Sequence, residues 1–344
     1  MQLLVTGATG LVGSHVAEEG IRRGCAVVAL VRATSKTGLL EHLGVQTIRG
    51  DLTDAEAVGR AFTGVDTVVH CAAKVGDWGP VSDYRRVNVE GLRTLLEAAR
   101  KQSLRRFVHV SSLGVYEARD HFGTDETTPP PKKHIDGYTQ SKVEAEDLAL
   151  QYHREHRVPV TILRPGFIYG PRDRTVLPKL LRSLKEKQLK YLGSGQQSMN
   201  TIGVHNLVDA IFLAIDKDAA AGQIYNLTDD EPVSKRRFIE SIAKSAGLEP
   251  PAESVPLWLA KILAKVMEGS ARAIRAKKPP LLTQARIKFL GLHLGFSVAK
   301  AKRELGYRPR VPFADGIREA VAWATEQTGS GAEEDSEAVP QQTT

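Results

Sequence analysis

The sequence predicts an α/β protein, a doubly wound parallel sheet followed by a smaller, mostly helical C-terminal lobe. Three observations carry this expectation. Short apolar runs alternate with stretches of helical periodicity over the first 165 residues. A glycine-rich turn joins the first run to the first helical stretch, in "LLVTGATGLVGSHV". After Arg164 and Pro165 the alternation loosens, and the remainder reads as helices separated by proline-rich joints.

Each element has a local reason. The apolar run Leu3 to Val5 is halted by Gly7, and from Val12 the apolar residues recur at helical spacing through Val16 and Ile21. Gly24 ends that helix, and the valine-rich run from Ala26 to Val31 reads as a strand buried on both faces. Further strands are expected at about 45–49, 66–71, 106–111 and 158–163, with helices near 54–62, 82–102 and 138–155 between them. Residues 201–215 read as a strand and a helix returning to the first domain. From about 226 to 326 the chain is mostly helical, jointed at Pro250, Pro251, Pro279 and Pro280.

Composition narrows the class. Hydrophobic residues at 42% and charged residues at 25% are ordinary for a water-soluble fold. No run of 18 apolar residues occurs and the chain opens on a core strand, so neither signal peptide nor membrane span is expected, and the cytoplasm is the default location. Cys25 and Cys71 lie in apolar strands and read as small buried residues; the ten histidines show no HExxH pattern, and no metal is expected. The net charge of +7 is uneven: residues 328–344 hold four acids and no Lys or Arg, so the body carries 47 basic against 36 acidic residues, or +11. No helix-turn-helix, zinc-finger or RNP-type pattern accompanies that charge, so nucleic acid is disfavoured against an anionic cofactor or lipid. The tail, 327–344, has little to bury and is expected to be disordered.

The glycines of the first turn have separate duties. Gly7 allows the sharp turn, Gly10 lets backbone approach a pyrophosphate, and Gly13 permits close packing of the helix; Thr9, Leu11 and Val12 complete a helix N-terminus that would face the anion. The spacing is GxxGxxG, and a dinucleotide site is expected. Where NAD(H) would want a carboxylate for its ribose hydroxyls, the second strand ends in Arg32, with Ser35 and Lys36 behind it. Cationic donors suit a 2′-phosphate, so NADP(H) is favoured over NAD(H). Asp51, followed by Leu52 in "RGDL", is placed to meet the adenine.

Two later stretches supply chemistry. In "GYTQSKVEAEDL", Tyr138 and Lys142 are four residues apart at the start of a helix and share a face. A phenol beside an ammonium and an oxidised nicotinamide should have its pKa lowered toward the working range. In "VHVSSLGVY" an apolar strand ends in Ser111 and Ser112, where residues face the ligand crevice of a doubly wound sheet, and a hydroxyl there can hold a carbonyl oxygen beside Tyr138.

These stretches, with "GDLTD", "VVHCAAKVGDWGP", "YRRVNVEGLRTLLEAA", "LRPGFIYGP" and "LGYRPRVPFADGI", resemble an extended short-chain dehydrogenase/reductase of the NAD-dependent epimerase/dehydratase superfamily. Within it, the chain looks like the 3β-hydroxysteroid dehydrogenase and 2-alkyl-3-oxoalkanoate reductase types over about residues 1–326. The resemblance implies a Rossmann domain for NADP from 1–165 and about 198–225, and a substrate lobe from about 166–197 and 226–326. It implies Tyr138 as general acid/base, Lys142 as the residue that tunes it and holds the nicotinamide ribose, and Ser112 on the substrate carbonyl. Ala72 and Ala73 would pass beneath the adenosine ribose, Pro165 and Gly166 would approach the carboxamide, and Asn88 would be structural. Lys74 counts with the cofactor and substrate contacts, and Trp78, close to Asp77, would form a flat apolar substrate wall.

The expected reaction is interconversion of a carbonyl and a secondary alcohol on a lipophilic 3-oxo or 3-hydroxy substrate, steroid-like or long-chain acyl. Leu113 and Gly114 stand where the superfamily's 4,6-dehydratases need an acid/base pair, which argues against dehydration. The alternatives are a nucleotide-sugar epimerase or 4-ketoreductase, and, from another class, a non-catalytic NADP-binding sensor or scaffold; the presence of Ser112, Tyr138 and Lys142 favours an enzyme. A homodimer through the helices near 82–102 and 138–155 is an expected assembly. In residues 255–280, Lys261, Lys265, Glu268, Arg272 and Arg275 form one polar stripe, while Trp258, Leu259, Ile262, Leu263, Val266 and Ile274 fill the other side. Such a helix either packs its apolar face on its own domain or lies on an anionic membrane, the basic run continuing through Lys277, Lys278, Arg286 and Lys288.

Overall fold

The structure is a computed structural model that describes residues 1–274, 276 and 278–329. Seven strands form one parallel sheet: β1 (Gln2–Thr6), β2 (Ala26–Val31), β3 (Gln46–Arg49), β4 (Thr67–His70), β5 (Arg106–Val110), β6 (Val160–Pro165) and β7 (Ile224–Leu227). Their spatial order is β7, β6, β5, β4, β1, β2, β3. The order turns back between β1 and β4, and the C-terminal ends of those strands open a crevice there.

Helices α1 (Leu11–Arg22), α2 (Gly38–His42), α3 (Ala55–Ala61), α4 (Val81–Arg85), α5 (Gly91–Ala99) and α6 (Gly137–His156) belong to the crossovers, with a π-turn at Arg86–Glu90 between α4 and α5. The rest are α7 (Leu177–Lys185), α8 (Val204–Asp216), α9 (Lys235–Ser245), α10 (Leu257–Ala273), α11 (Gln284–Gly291), α12 (Ala299–Leu305) and α13 (Phe313–Gly329). Successive strand residues serve opposite layers. Leu3, Val5, Val27 and Ala29 pack with α1 and α8, while Leu4, Val28 and Leu30 pack with α3, α5 and α6. Both faces are covered, which is why these strands read as unbroken apolar runs. A separate core of Leu184, Phe238, Ile242, Phe313 and Ile317 joins α7, α9 and α13.

Three features differ from expectation. Within the returning segment Thr201–Gly203 pairs with Phe167–Tyr169 outside the main sheet, and the seventh strand, which was not expected, is Ile224–Leu227. That strand is four residues long and contains Asn226, whose amide donates to Glu126 Oε1 at 2.7 Å, so its polarity hid it. β6 runs through Arg164 to Pro165, past its expected end, because the Arg164 charge is answered inside the fold. Finally, α13 carries three residues into the stretch expected to be a disordered tail; residues 330–344 lie outside the described residues. Among the described residues, no helix is long and apolar enough to cross a membrane.

The partner of Arg164 is Glu146 on α6. Its carboxylate accepts from Arg164 Nη2 at 2.6 Å and from Nε at 3.0 and 3.1 Å, with both side chains buried. Ser111 Oγ donates to Glu146 Oε1 at 2.5 Å, and Arg164 Nη1 donates to the Tyr116 hydroxyl at 2.9 Å. Removing the carboxylate strands a guanidinium in the core. Glu146→Ala should therefore lower unfolding stability by about 3–5 kcal/mol in urea titrations, and a loss below about 1 kcal/mol would refute this account of the pair.

Candidate active site

The cradle at the start of α1 is built by sterics. Gly7 has φ of +69°, a left-handed conformation that favours glycine, and its carbonyl accepts from the Gly10 amide at 2.9 Å. A Cβ on Gly13 would lie 2.2 Å from that same carbonyl oxygen, so only glycine fits there. Gly10 caps α1 without a side-chain cap, and the first turn holds no acid. The amides of Leu11 and Val12 thus begin the helix beside half-buried Thr9, free to serve an anion. This backbone fits the pyrophosphate of a dinucleotide.

On the far side of the crevice, Arg32 is exposed at the end of β2. Arg49, which sequence reasoning did not single out, shapes the loop that carries Arg32, Ser35 and Lys36. Its Nη1 donates to the carbonyls of Arg32, Ala33 and Ser35 at 3.1, 3.3 and 3.1 Å, and its Nη2 to Thr37 Oγ1 at 3.0 Å. The Asp51 carboxylate turns onto Thr53, accepting from its amide at 3.0 Å and its hydroxyl at 2.8 Å. Those bonds, with Arg86 and Arg32 nearby, hold it below its ordinary pKa. Leu52 is half-buried beside it. Ala72 donates its amide to Thr6 Oγ1 at 3.4 Å, and Gly7 runs directly against its backbone.

The chemistry-bearing side chains meet beyond this cradle. Asp136 caps α6 by accepting from the Thr139 amide at 2.8 Å, which places Tyr138 in the first turn and Lys142 one turn on. Ser112 ends the extended chain after β5, its Oγ accepting from the Gly114 amide at 3.0 Å, and it lines the same cavity as Tyr138. Lys142 is buried and donates to the Val110 carbonyl at 2.8 Å. All three residues line one cavity of about 580 Å³, together with Gly7, Gly10, Ala73, Pro165 and Gly166. Its other walls are largely apolar and include Leu113, Phe167, Phe289, Leu294 and Phe296.

The expected lowering of the Tyr138 pKa involves an oxidised nicotinamide as well as Lys142, and the polypeptide by itself acts in the other direction. Burial pushes the Tyr138 pKa up to about 12, opposed by the neighbouring Ser112 hydroxyl and aided by Asp136. Burial likewise pulls Lys142 down to about 8, with Glu146 opposing. Desolvation is the largest influence on both groups, raising the phenol and lowering the ammonium.

Lys74 and Trp78 lie elsewhere, in an adjoining outer cavity of about 1090 Å³. Lys74 Nζ donates to Asp83 Oδ2 at 3.2 Å, and Trp78 Nε1 to the Ala276 carbonyl at 2.8 Å. Asp77 accepts from Thr283 Oγ1 and Arg286 Nε, each at 2.8 Å, so the loop after β4 is clasped to the lobe. Asn88 fixes the base of that loop, accepting from the Lys74 amide at 2.7 Å and donating to the Lys74 carbonyl at 3.0 Å and Ser141 Oγ at 2.9 Å. Lys288 reaches the inner cavity, donating to the carbonyls of Gly114 and Tyr116 at 2.8 Å each. Its 174-residue separation from Gly114 leaves no local signal in the sequence. Among the described residues, no group of three or more His, Cys, Asp or Glu side chains is placed to hold a metal.

A parallel sheet with a glycine cradle at its switch point defines a nucleotide-binding α/β protein. The chain belongs to the NAD dependent epimerase/dehydratase family, whose model matches residues 3–228. It is similar to a 4-hydroxy-2-methyl-3-oxo-4-farnesyl-3,4-dihydroquinoline-1-oxide ketoreductase of Stigmatella aurantiaca, 32% identical over 92% of this chain and 95% of that one. It is also similar to a 3 beta-hydroxysteroid dehydrogenase/Delta 5-->4-isomerase of Mycobacterium tuberculosis, 32% identical over 94% of this chain and 90% of the relative. Among solved structures, gox2253 superposes with a TM-score of 0.81 at 31% identity, covering 95% of this chain and 98% of that one.

The cradle makes its own prediction. Gly13→Ala should abolish measurable NADPH binding in calorimetry while leaving a folded protein by circular dichroism, because the methyl needs the space of the Gly7 carbonyl. Binding within threefold of wild type would show that the turn does not hold the cofactor.

Proposed function

We propose that the protein is an NADP(H)-dependent ketoreductase acting on lipophilic 3-oxo compounds, steroid-like or long-chain acyl. The observation that carries this reading is the convergence of Ser112, Tyr138 and Lys142 in one apolar-walled cavity against the glycine cradle. The ketoreductase and hydroxysteroid dehydrogenase relatives support oxidoreductase chemistry on a keto or CH–OH group. A nicotinamide dinucleotide bound along the cradle would supply the hydride.

The chain's own residues supply the rest. Ser112 Oγ and the Tyr138 hydroxyl bracket the position of a substrate carbonyl oxygen, and Tyr138 donates its proton as that oxygen gains charge. A phenol held near 12 enters the cycle protonated, which suits reduction. Lys142, anchored on the Val110 carbonyl, keeps a donor one turn below the phenol for the cofactor's ribose. Pro165 and Gly166 line the same cavity, and the Gly166 amide is tied to the Leu227 carbonyl at 2.9 Å, fixing the backbone where the carboxamide would lie. The apolar walls suit a hydrocarbon body.

NADP(H) over NAD(H) follows from Arg32 and the Arg49-braced loop around it. The decisive assay mixes purified protein with NADPH and a panel of 3-oxo esters, acids and sterols and follows NADPH oxidation; no turnover of any member would overturn the reading. Within it, Tyr138→Phe should retain NADPH binding and lose kcat by roughly 10²–10⁴, and more than a tenth of wild-type kcat would exclude Tyr138 as the acid. Arg32→Asp should exchange attraction for repulsion at the 2′-phosphate and weaken NADPH binding by about one to two decades. Equal or tighter binding of NADH than NADPH to the wild-type protein would reject the assigned preference.

A further inference from the structure

α10 is turned inside out relative to an ordinary surface helix. Trp258, Ile262 and Val266 follow one another at i, i+4, i+8 and are 66%, 51% and 62% exposed, a ridge of large apolar groups standing in water. The side it buries is small: Ala260, Ala264 and Ala271, with Glu268. Glu268 was expected in the outer polar stripe, but its carboxylate is drawn inward, accepting from the Gln284 amide at 3.0 Å and from Arg272. Of the two alternatives, packing on its own domain does not describe the ridge of Trp258, Ile262 and Val266. Small residues make that contact, since they let α10 lie close against α11.

The unpaired charge near the ridge has one sign: Arg272 answers Glu268, Arg286 is paired with Asp77 and Lys288 is turned inward onto two carbonyls, while among the described residues Lys261, Lys265 and Lys278 make no ion pair. Residues 254–291 hold eight Lys and Arg and one acid, and that acid is the buried Glu268. Lys261 and Lys265 are exposed beside the ridge and make no ion pair among the described residues. Arg275 and Lys277, of the expected basic run, lie outside the described residues. A second copy seated on this face through a two-fold axis would set the same lysines against one another. An anionic surface with an apolar interior meets both features at once.

We propose that α10 docks on the headgroup region of an anionic bilayer, Trp258, Ile262 and Val266 entering it and Lys261 and Lys265 meeting lipid phosphates and carboxylates. The far end of the helix gives the docking a use. Ala271, Arg272 and Ala276 line the outer cavity, which shares Asp77 and Asp136 with the inner one. Docking sets that opening at the membrane, where a lipophilic ketone is dissolved. This consequence for substrate entry rests on the ketoreductase reading; the docking itself does not.

Flotation of the full chain with vesicles tests it, comparing phosphatidylcholine alone with a phosphatidylserine mixture at low and high salt. Wild type should float with the serine-containing vesicles at low salt and be released in molar salt, where screening shortens to about 3 Å. Lys261→Gln with Lys265→Gln should cut the partition about thirtyfold, at roughly 1 kcal/mol per removed charge. Ile262→Gln with Val266→Gln should lower it at every salt concentration. None of these variants touches the cradle or the Tyr138 cavity, so NADPH affinity, measured in parallel, should be unchanged and certifies folding. Wild type left unbound by serine-containing vesicles overturns the proposal. So does a concentration-dependent dimer that the Gln variants convert to monomer, which would assign the ridge to a second copy. Failure of the ketone panel with vesicle binding intact would remove the catalytic reading and leave the docking.

Discussion

The site depends on one buried ion pair. Arg164, at the end of β6, and Glu146, two turns along α6, fasten the helix of Tyr138 and Lys142 to the strand ends that open the crevice. Ser111 on one side and Tyr116 on the other tie the turn after β5 into the same network. Tyr116 continues it to Asn226 Oδ1 at 3.0 Å, so β7, the last strand added, is held by the same hydroxyl. A hydrophobic contact could hold α6 against the sheet, yet it would leave the helix free to slide. Charge-assisted hydrogen bonds in a dry core have direction, and direction sets where the phenol points.

That dry setting also explains the perturbed groups around it. His70 and His109 stack at 5.3 Å beneath the crevice, and burial pulls His70 to about 3 and His109 well below its ordinary value. Burial also lifts Cys71 to about 12. All three are neutral at physiological pH. The positive charge at the crevice floor is therefore left to Lys142, whose own pKa the same desolvation reduces to about 8. A cation kept at that cost, with a carbonyl already accepting from it, has a role that a neutral residue would not fill.

The lobe obeys a different economy. Its loop contacts are clasps between distant segments, Asp77 to Thr283 and Arg286, Trp78 to Ala276, Lys288 to Gly114 and Tyr116. Each joins the rim of the sheet to the stretch around α11, and together they cover the crevice from above. α10 is attached to this cover by Ala260 and Ala264, with Leu257 at its start and Glu268 on the Gln284 amide, while Trp258, Ile262 and Val266 remain on the outside. Composition explains the inversion: a helix that packs through alanines approaches closely and leaves its bulk facing away.

The sequence by itself determined the sheet and the cradle. Strands buried on both faces must be apolar along their length, and a backbone that touches backbone must be glycine, so Leu3–Val5, Ala26–Val31, Gly7 and Gly13 are legible one residue at a time. The i, i+4 spacing of Tyr138 and Lys142 is local for the same reason. Only the tertiary structure decided what depends on partners far along the chain. Arg164 looks like the end of a strand until Glu146 neutralises it, and Ile224–Leu227 looks like a turn until its amide groups find Glu126 and β6. Lys288 is an ordinary helical lysine until two carbonyls from residues 114 and 116 receive it. The polypeptide alone raises the pKa of Tyr138, because adjacency in sequence reveals a neighbour's charge but not the water removed from around it. Amphipathicity likewise shows that α10 has two sides; which side meets the protein was settled by the fit of its alanines against α11.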